Sequence, residues 1–279
     1  MELNDKVAVI TGAGAGIGRA LAIGFIAKGA RHVVCTDLDA TSAAETVELI
    51  GDKASSAVLD VSSQSDIEAL VQRTLLSQGY IDIFVSNAGY AQGGGLKLDT
   101  EDWKKMMEVH MWSHLNAARA VLPSMIERGG GYILNTASAA GLLTQIDSGP
   151  YAVSKHAAVA FAEWLSINYQ DKGIGVSVLC PQAVRTNILG PRLKNSAKKS
   201  TRQASKDGIL EPEVVADDCI RAIEEERFMV LPHPEVATYF KRKADDYERW
   251  LGGMRRFREK LRSASDSASD SASASKGNS

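Results

Sequence analysis

The chain is poor in the features that mark specialised protein classes. Cysteine occurs 3 times in 279 residues. Cys35, Cys180 and Cys219 are an odd, widely spaced set among apolar neighbours. That excludes a disulfide-stapled fold and fits reduced core thiols in a cytoplasmic protein. With 7 Pro and 24 Gly, the chain is neither collagen-like nor disordered. Neither sign of charge dominates: 32 Lys and Arg face 34 Asp and Glu, a net −2. Nothing global therefore calls for nucleic acid or an anionic membrane surface. No apolar run approaches the roughly 18 residues of a spanning helix, so stable membrane insertion is not expected. The opening Met1-Glu2-Leu3-Asn4-Asp5-Lys6 is acidic and runs straight into a strand-like segment, unlike a signal peptide.

What is present is an apolar fraction of 44%, enough for a core that needs no metal or disulfide; no metal site is expected. Strand-length apolar runs fall at 7–10, 32–36, 56–59, 81–86, 132–136, 175–179 and 228–231. Most are continuous and rich in Val and Ile, as in parallel strands buried on both faces. Between them lie helical patterns at 19–28, 40–50, 65–78, 102–127, 151–170 and 212–225. Strict alternation implies βαβ units with right-handed crossovers. The expected fold is a single α/β domain over 1–233, a Rossmann-type doubly wound parallel sheet with helices on both faces.

Three segments break the rhythm. Residues 90–98 contain Gly93-Gly94-Gly95 and read as a mobile loop. Residues 187–208 carry Arg192, Lys194, Lys198, Lys199, Arg202 and Lys206, which reads as a solvated basic loop. Residues 263–279 hold eight Ser and four Ala, a tail expected to stay unfolded. Before that tail, Ala237, Phe240, Ala244, Tyr247, Leu251, Met254 and Leu261 recur at helical spacing, so 234–262 is expected to be a helical extension, weakened at Gly252-Gly253.

Thr11-Gly12-Ala13-Gly14-Ala15-Gly16-Ile17-Gly18 follows the first strand and opens the first helix. Glycines there let the backbone turn tightly and approach a pyrophosphate, and the helix N-terminus offers it free N–H groups. Asp37 ends the second strand, followed by Leu38. A carboxylate there accepts hydrogen bonds from the adenosine ribose hydroxyls and repels a 2′-phosphate, which favours NAD over NADP. Asp60-Val61, after the third strand, is expected at the adenine edge. Asn87-Ala88-Gly89, after the fourth, is expected to line the same crevice.

Tyr151 and Lys155 stand four apart at the start of a helix, on one face. An ammonium beside a phenol favours the phenolate and makes the tyrosine a usable acid or base near neutrality. Together, the glycine motif, Asn87-Ala88-Gly89, Ser138 and Tyr151-Ala152-Val153-Ser154-Lys155 resemble the short-chain dehydrogenase/reductase family over roughly residues 3–232. The resemblance implies a seven-stranded parallel sheet and a homodimer or homotetramer. It also implies proton transfer by Tyr151, a ribose contact from Lys155 and a substrate hydrogen bond from Ser138. After the sixth strand, Pro181, Val184 and Thr186 keep the family's pattern and are expected around the carboxamide.

Two positions depart from that pattern. Where the family has an asparagine in the helix after the fourth strand, this chain has His110, expected here to link Lys155 to solvent through a water. Gln182 replaces the usual glycine after Pro181 and brings a polar group towards the substrate. The pocket walls, at 91–96, 139–145, Gln182 and 188–193, are mostly small or apolar, with Gln145 among the polar contacts. They point to a neutral, hydrophobic secondary alcohol and its ketone. The alternatives are an NADPH-dependent carbonyl reductase of the same fold, and a non-catalytic nucleotide-binding scaffold.

Overall fold

The computed structural model describes residues 1–189 and 205–276. The basic stretch from Arg192 to Arg202 lies outside the described residues. Seven strands form one all-parallel sheet in the order β3-β2-β1-β4-β5-β6-β7: β1 Val7–Thr11, β2 His32–Asp37, β3 Ala54–Val58, β4 Ile83–Ser86, β5 Gly131–Thr136, β6 Ile174–Leu179 and β7 Met229–Val230. Each coincides with one of the apolar runs, to within a few residues at each end.

Side-chain alternation splits the core into two layers. Val9, Phe84 and Ile133 pack towards α3 (Gln64–Gln78), α5 (Ser113–Glu127) and α7 (Gly149–Tyr169). Ala8, Ile10, Ile83 and Val85 pack towards α1 (Gly16–Ala27) and α8 (Pro212–Glu224). Burying each such Val or Ile stabilises the fold by roughly 1.5–3 kcal/mol. The edge strand β3 is the exception, with Ser55 and Ser56 exposed. α2 (Ala40–Ile50) begins at Asp39, whose side chain accepts the Thr41 N–H.

The strand order reverses between β1 and β4, which opens a crevice at their carboxyl ends. Thr11, Asn87 and Ser138 all lie at that rim. The loop after β4 is tied down there: Gly94 N–H donates to the Asp147 carbonyl at 2.8 Å and Ser148 Oγ to the Gln92 carbonyl at 2.5 Å.

Two helices differ from the periodicity reading. The span 102–127 is broken into α4 (Thr100–Met107), a π-helical turn at Glu108–Trp112 and α5. Inserting one wide turn re-aims the side chains within it, His110 among them. In the C-terminal extension the break falls at Asp246 (φ −152°, ψ 92°), not at Gly252-Gly253. Asp246 caps the next helix: its Oδ1 accepts the Arg249 N–H at 2.9 Å, so α9 (Glu235–Asp245) ends and α10 (Tyr247–Lys276) begins there. The glycine pair lies inside α10. The helix also continues past 262 through Lys276, where the composition predicted an unfolded tail; 263–276 contains neither Gly nor Pro, so no breaker stops it.

Candidate active site

The glycine turn is built for a close approach. Gly12 has φ +65°, and a Cβ there would sit 2.9 Å from the Ala88 Cα; a Cβ on Gly18 would strike the Gly12 carbonyl oxygen. α1 starts at Ala15, extended (φ −159°), with no side-chain cap and no acid in its first turn. Its first N–H groups thus face the groove without a side chain to satisfy them, as an anion-binding terminus requires. A cavity of about 600 Å³ beside it is lined by Gly14, Ala15, Gly16 and Thr186. Ile17 lies one residue further into the helix, half-buried.

Two side chains lock this turn. Asn87 Nδ2 donates to the Thr11 and Gly12 carbonyls at 3.0 and 3.3 Å, and its Oδ1 accepts from Thr136 Oγ1. Its side chain therefore holds strand ends together, and what it turns to the crevice with Ala88 and Gly89 is backbone. Thr11, the first residue of the motif, to which the spacing assigned no role, accepts the Asn87 and Ala88 N–H groups on Oγ1 at 2.9 and 3.0 Å.

Asp37 sits at the rim as expected, with one oxygen accepting the Gly14 N–H at 3.0 Å. Leu38 beside it is exposed. Arg19 is not a loose surface charge: it donates to the Gly14 carbonyl, to Thr46 Oγ1 at 3.0 Å and to Glu45 at 3.0 Å. Asp60 is exposed, and its Oδ1 accepts from Ser62 N–H and Oγ; Val61 is buried. Thr186 N–H donates to the Val184 carbonyl at 2.7 Å, folding that segment over Gly16.

β5 and α7 bring Ser138, Tyr151 and Lys155 together. Ser138 Oγ accepts the Ala140 N–H at 3.1 Å and donates to the Pro181 carbonyl at 3.4 Å, with the Tyr151 phenol near enough for the hydroxyl to favour its ionised form. Lys155 Nζ lies 5.9 Å from the Tyr151 ring centre and donates to the Thr136 carbonyl at 2.8 Å.

The expected lowering of the phenol by the ammonium is not found. Burial pushes the Tyr151 phenol up, with the Ser138 hydrogen bond opposing it. Lys155 is buried as well, and desolvation brings its pKa down to about 7. Both groups thus favour their neutral forms.

His110 is fully buried, and both ring nitrogens are engaged. Nε2 accepts the Tyr90 N–H at 3.2 Å, so the single proton of the neutral ring lies on Nδ1 and donates to Ser154 Oγ at 3.0 Å. Ser154 Oγ in turn donates to the Tyr151 carbonyl at 3.0 Å. Burial, followed by the nearby Lys155 charge, holds the imidazole well below its ordinary pKa. The expected water link from His110 to Lys155 thus finds no free nitrogen; the residue is a clip between the β4 loop and α7. His114, one turn on, is buried too, and desolvation lowers it to about 3.

Of the two predicted polar substrate contacts, Gln182 gives its amide to Asp207 Oδ2 at 2.8 Å. Gln145 is half-buried, with no side-chain hydrogen bond among the described residues. Among these residues no group of three metal-ligating side chains occurs and no helix is long and apolar enough to cross a membrane.

Residues 6–197 match the family described as short chain dehydrogenase. The chain is 30% identical over 258 residues to a CLA biosynthesis dehydrogenase/reductase from Lactiplantibacillus plantarum, covering 84% of this chain and 90% of that one. It is 34% identical over 195 residues to the 7alpha-hydroxysteroid dehydrogenase of Escherichia coli K12, covering 68% and 75%. The crystal structure of a short chain dehydrogenase/reductase from Burkholderia phymatum in complex with NAD superposes with a TM-score of 0.79 at 33% identity, covering 89% of this chain and 96% of that one.

Proposed function

The chain belongs to the short chain dehydrogenase family, and we propose that it is an NAD-dependent oxidoreductase interconverting a secondary alcohol of hydrophobic body and its ketone. The observation that carries this reading is the convergence of Ser138, Tyr151 and Lys155 at the same rim as the uncapped N-terminus of α1.

The α1 terminus would hold the pyrophosphate, Asp37 the adenosine ribose, Lys155 the nicotinamide ribose, and Pro181, Val184 and Thr186 the carboxamide. When bound, the nicotinamide supplies the hydride acceptor. In the oxidation direction Ser138 orients the substrate oxygen and Tyr151 takes its proton, while the carbinol C–H leaves with its electron pair. The apolar surround, with Ala139, Ala140, Leu142 and Leu143 buried, keeps competing water from the reacting oxygen.

Asp37 supports NAD over NADPH. Arg19 is already engaged with Gly14 and Glu45, so it is not a free cation for a 2′-phosphate. A homodimer or homotetramer is supported by an exposed stripe on α7, where Val153, Trp164 and Ile167 are 50%, 49% and 80% exposed. The three buried, unpaired cysteines are in keeping with a reducing, cytoplasmic site of action.

The test is a screen of secondary alcohols with NAD at mildly alkaline pH, followed through absorbance of the reduced nicotinamide. Turnover that disappears in Tyr151→Phe supports the reading, and turnover that survives overturns it. Parallel titrations with NAD and NADP decide between the two cofactors.

A further inference from the structure

Beyond Gln182, an open cleft of about 490 Å³ lies between the C-terminal extension and the catalytic domain, within the size range of small-molecule sites. The extension is docked firmly. Lys243 on α9 is buried and donates to the Leu142 carbonyl at 2.6 Å, next to α6 (Ala140–Leu143), which follows directly from Ser138. Arg258 on α10 pairs with Asp147 at 3.5 Å, in the loop leading to the Tyr151 helix. The cavity therefore shares walls, at Leu143 and Gln182, with the segments that carry the catalytic groups.

Its lining combines the apolar Leu143, Trp250, Met254 and Phe257 with the solvent-exposed Arg242, Arg249 and Arg256. The acids that line it already have partners. Asp207 accepts from Gln182 and from Tyr239 Oη at 3.0 Å, Asp245 pairs with Lys241, and Asp246 caps α10. The three arginines, by contrast, make no ion pair among the described residues. With Lys206, four cations line the cavity, and the three acids beside them already have other partners, which leaves positive charge in excess beside an apolar wall.

We propose that this cavity is the distal end of the substrate site and takes the carboxylate of an amphipathic hydroxy acid, whose apolar body leads back to the secondary alcohol at Tyr151. The proposal rests on the dehydrogenase reading above and changes the neutral substrate expected from the sequence into a monoanion. A guanidinium matches a carboxylate with two parallel hydrogen bonds. Beside an apolar wall a phosphate dianion carries the larger desolvation cost, so a carboxylate is the better fit.

The test is calorimetric titration of the full-length protein, without nucleotide, with decanoate, 1-decanol and decyl phosphate. Decanoate should bind about tenfold or more tightly than the alcohol, a difference of ~1.4 kcal/mol, and more tightly than the phosphate. Raising salt from about 0.05 to about 0.5 M should erode the preference over the alcohol. In Arg249→Gln/Arg256→Gln that preference should fall to within about twofold, and the two Lys replacements should keep part of it. Equal affinities, no binding by any of the three, tighter binding of decyl phosphate, or a preference that survives the double Gln variant would overturn the proposal. Should the double variant lose its helical circular dichroism, the salt series on the wild type decides: a salt-insensitive preference overturns it. Since none of these arms needs turnover, a failure here is distinct from a failure to reduce NAD with any alcohol.

Discussion

His110 Nδ1 donates to Ser154 Oγ across 3.0 Å, and Ser154 passes that bond on to the carbonyl of Tyr151. The imidazole thus fixes the backbone at Tyr151, the proposed acid–base residue, while its other nitrogen pins the loop at Tyr90.

A clip of this kind positions without titrating. His110→Ala should lower kcat by roughly tenfold or more, the low end for a mispositioned acid–base group. His110→Asn, which can accept from Tyr90 and donate to Ser154, should restore most of it. The profile of kcat against pH should keep its shape in both variants, because the buried ring stays neutral across the working range. A limb of the profile that moves or vanishes in His110→Ala would show a proton-carrying role instead.

Lys155 is held in the fold against its own preference. Its pKa falls from its ordinary value to about 7 on burial, so between pH 7 and its unfolded value the folded state binds fewer protons than the unfolded one. Stability then rises with pH through that window, and the penalty is full below about pH 7. Lys155→Met should abolish turnover yet raise the thermal midpoint at pH 6–7, by roughly 2–4 °C for each kcal/mol recovered. That gain should shrink towards pH 9. A variant less stable than wild type at pH 6 would contradict this.

Asp37 accepts the Gly14 N–H on one oxygen and the Asp39 N–H on the other, and in the proposed complex it also meets the adenosine ribose. Asp37→Ala should therefore weaken NAD binding and narrow its advantage over NADP. Titrating both nucleotides against the variant measures this, and an unchanged ratio would remove Asp37 from cofactor choice.

Deleting residues 263–279 should leave NAD-dependent turnover intact, because the segment is mostly Ser and Ala and offers little apolar surface to bury. Turnover lost on truncation, with the thermal midpoint unchanged, would give the end of α10 a role in the site.

The sheet was legible because its inner strands are buried on both faces and so read as unbroken Val- and Ile-rich runs. That the glycine turn, Ser138, Tyr151 and Lys155 would meet at one rim was legible from their order and spacing, each falling at a strand end or on one helix face. Less visible was whatever depends on a partner distant in sequence. The commitment of Asn87 to Thr11 and Thr136, and of Gln182 to Asp207, follows from how strand ends meet. The break at Asp246 did have a local signal, an acid capping three residues ahead of Arg249, but the glycine pair nearby was the louder one. Burial, invisible in a Tyr-x-x-x-Lys spacing, reversed the expected direction for the Tyr151 phenol.

The most direct test of the central claim is the initial rate of NAD reduction by a responsive secondary alcohol, measured from pH 6 to 10 in wild type and Tyr151→Phe. Tyr151 must be deprotonated to accept the alcohol proton, and burial holds its pKa up. The wild-type rate should therefore climb with pH across the range, and the phenylalanine variant should be at least about a thousandfold slower throughout. A variant that keeps wild-type rates, or a wild-type rate that falls as pH rises from 6 to 9, would contradict Tyr151 as the base.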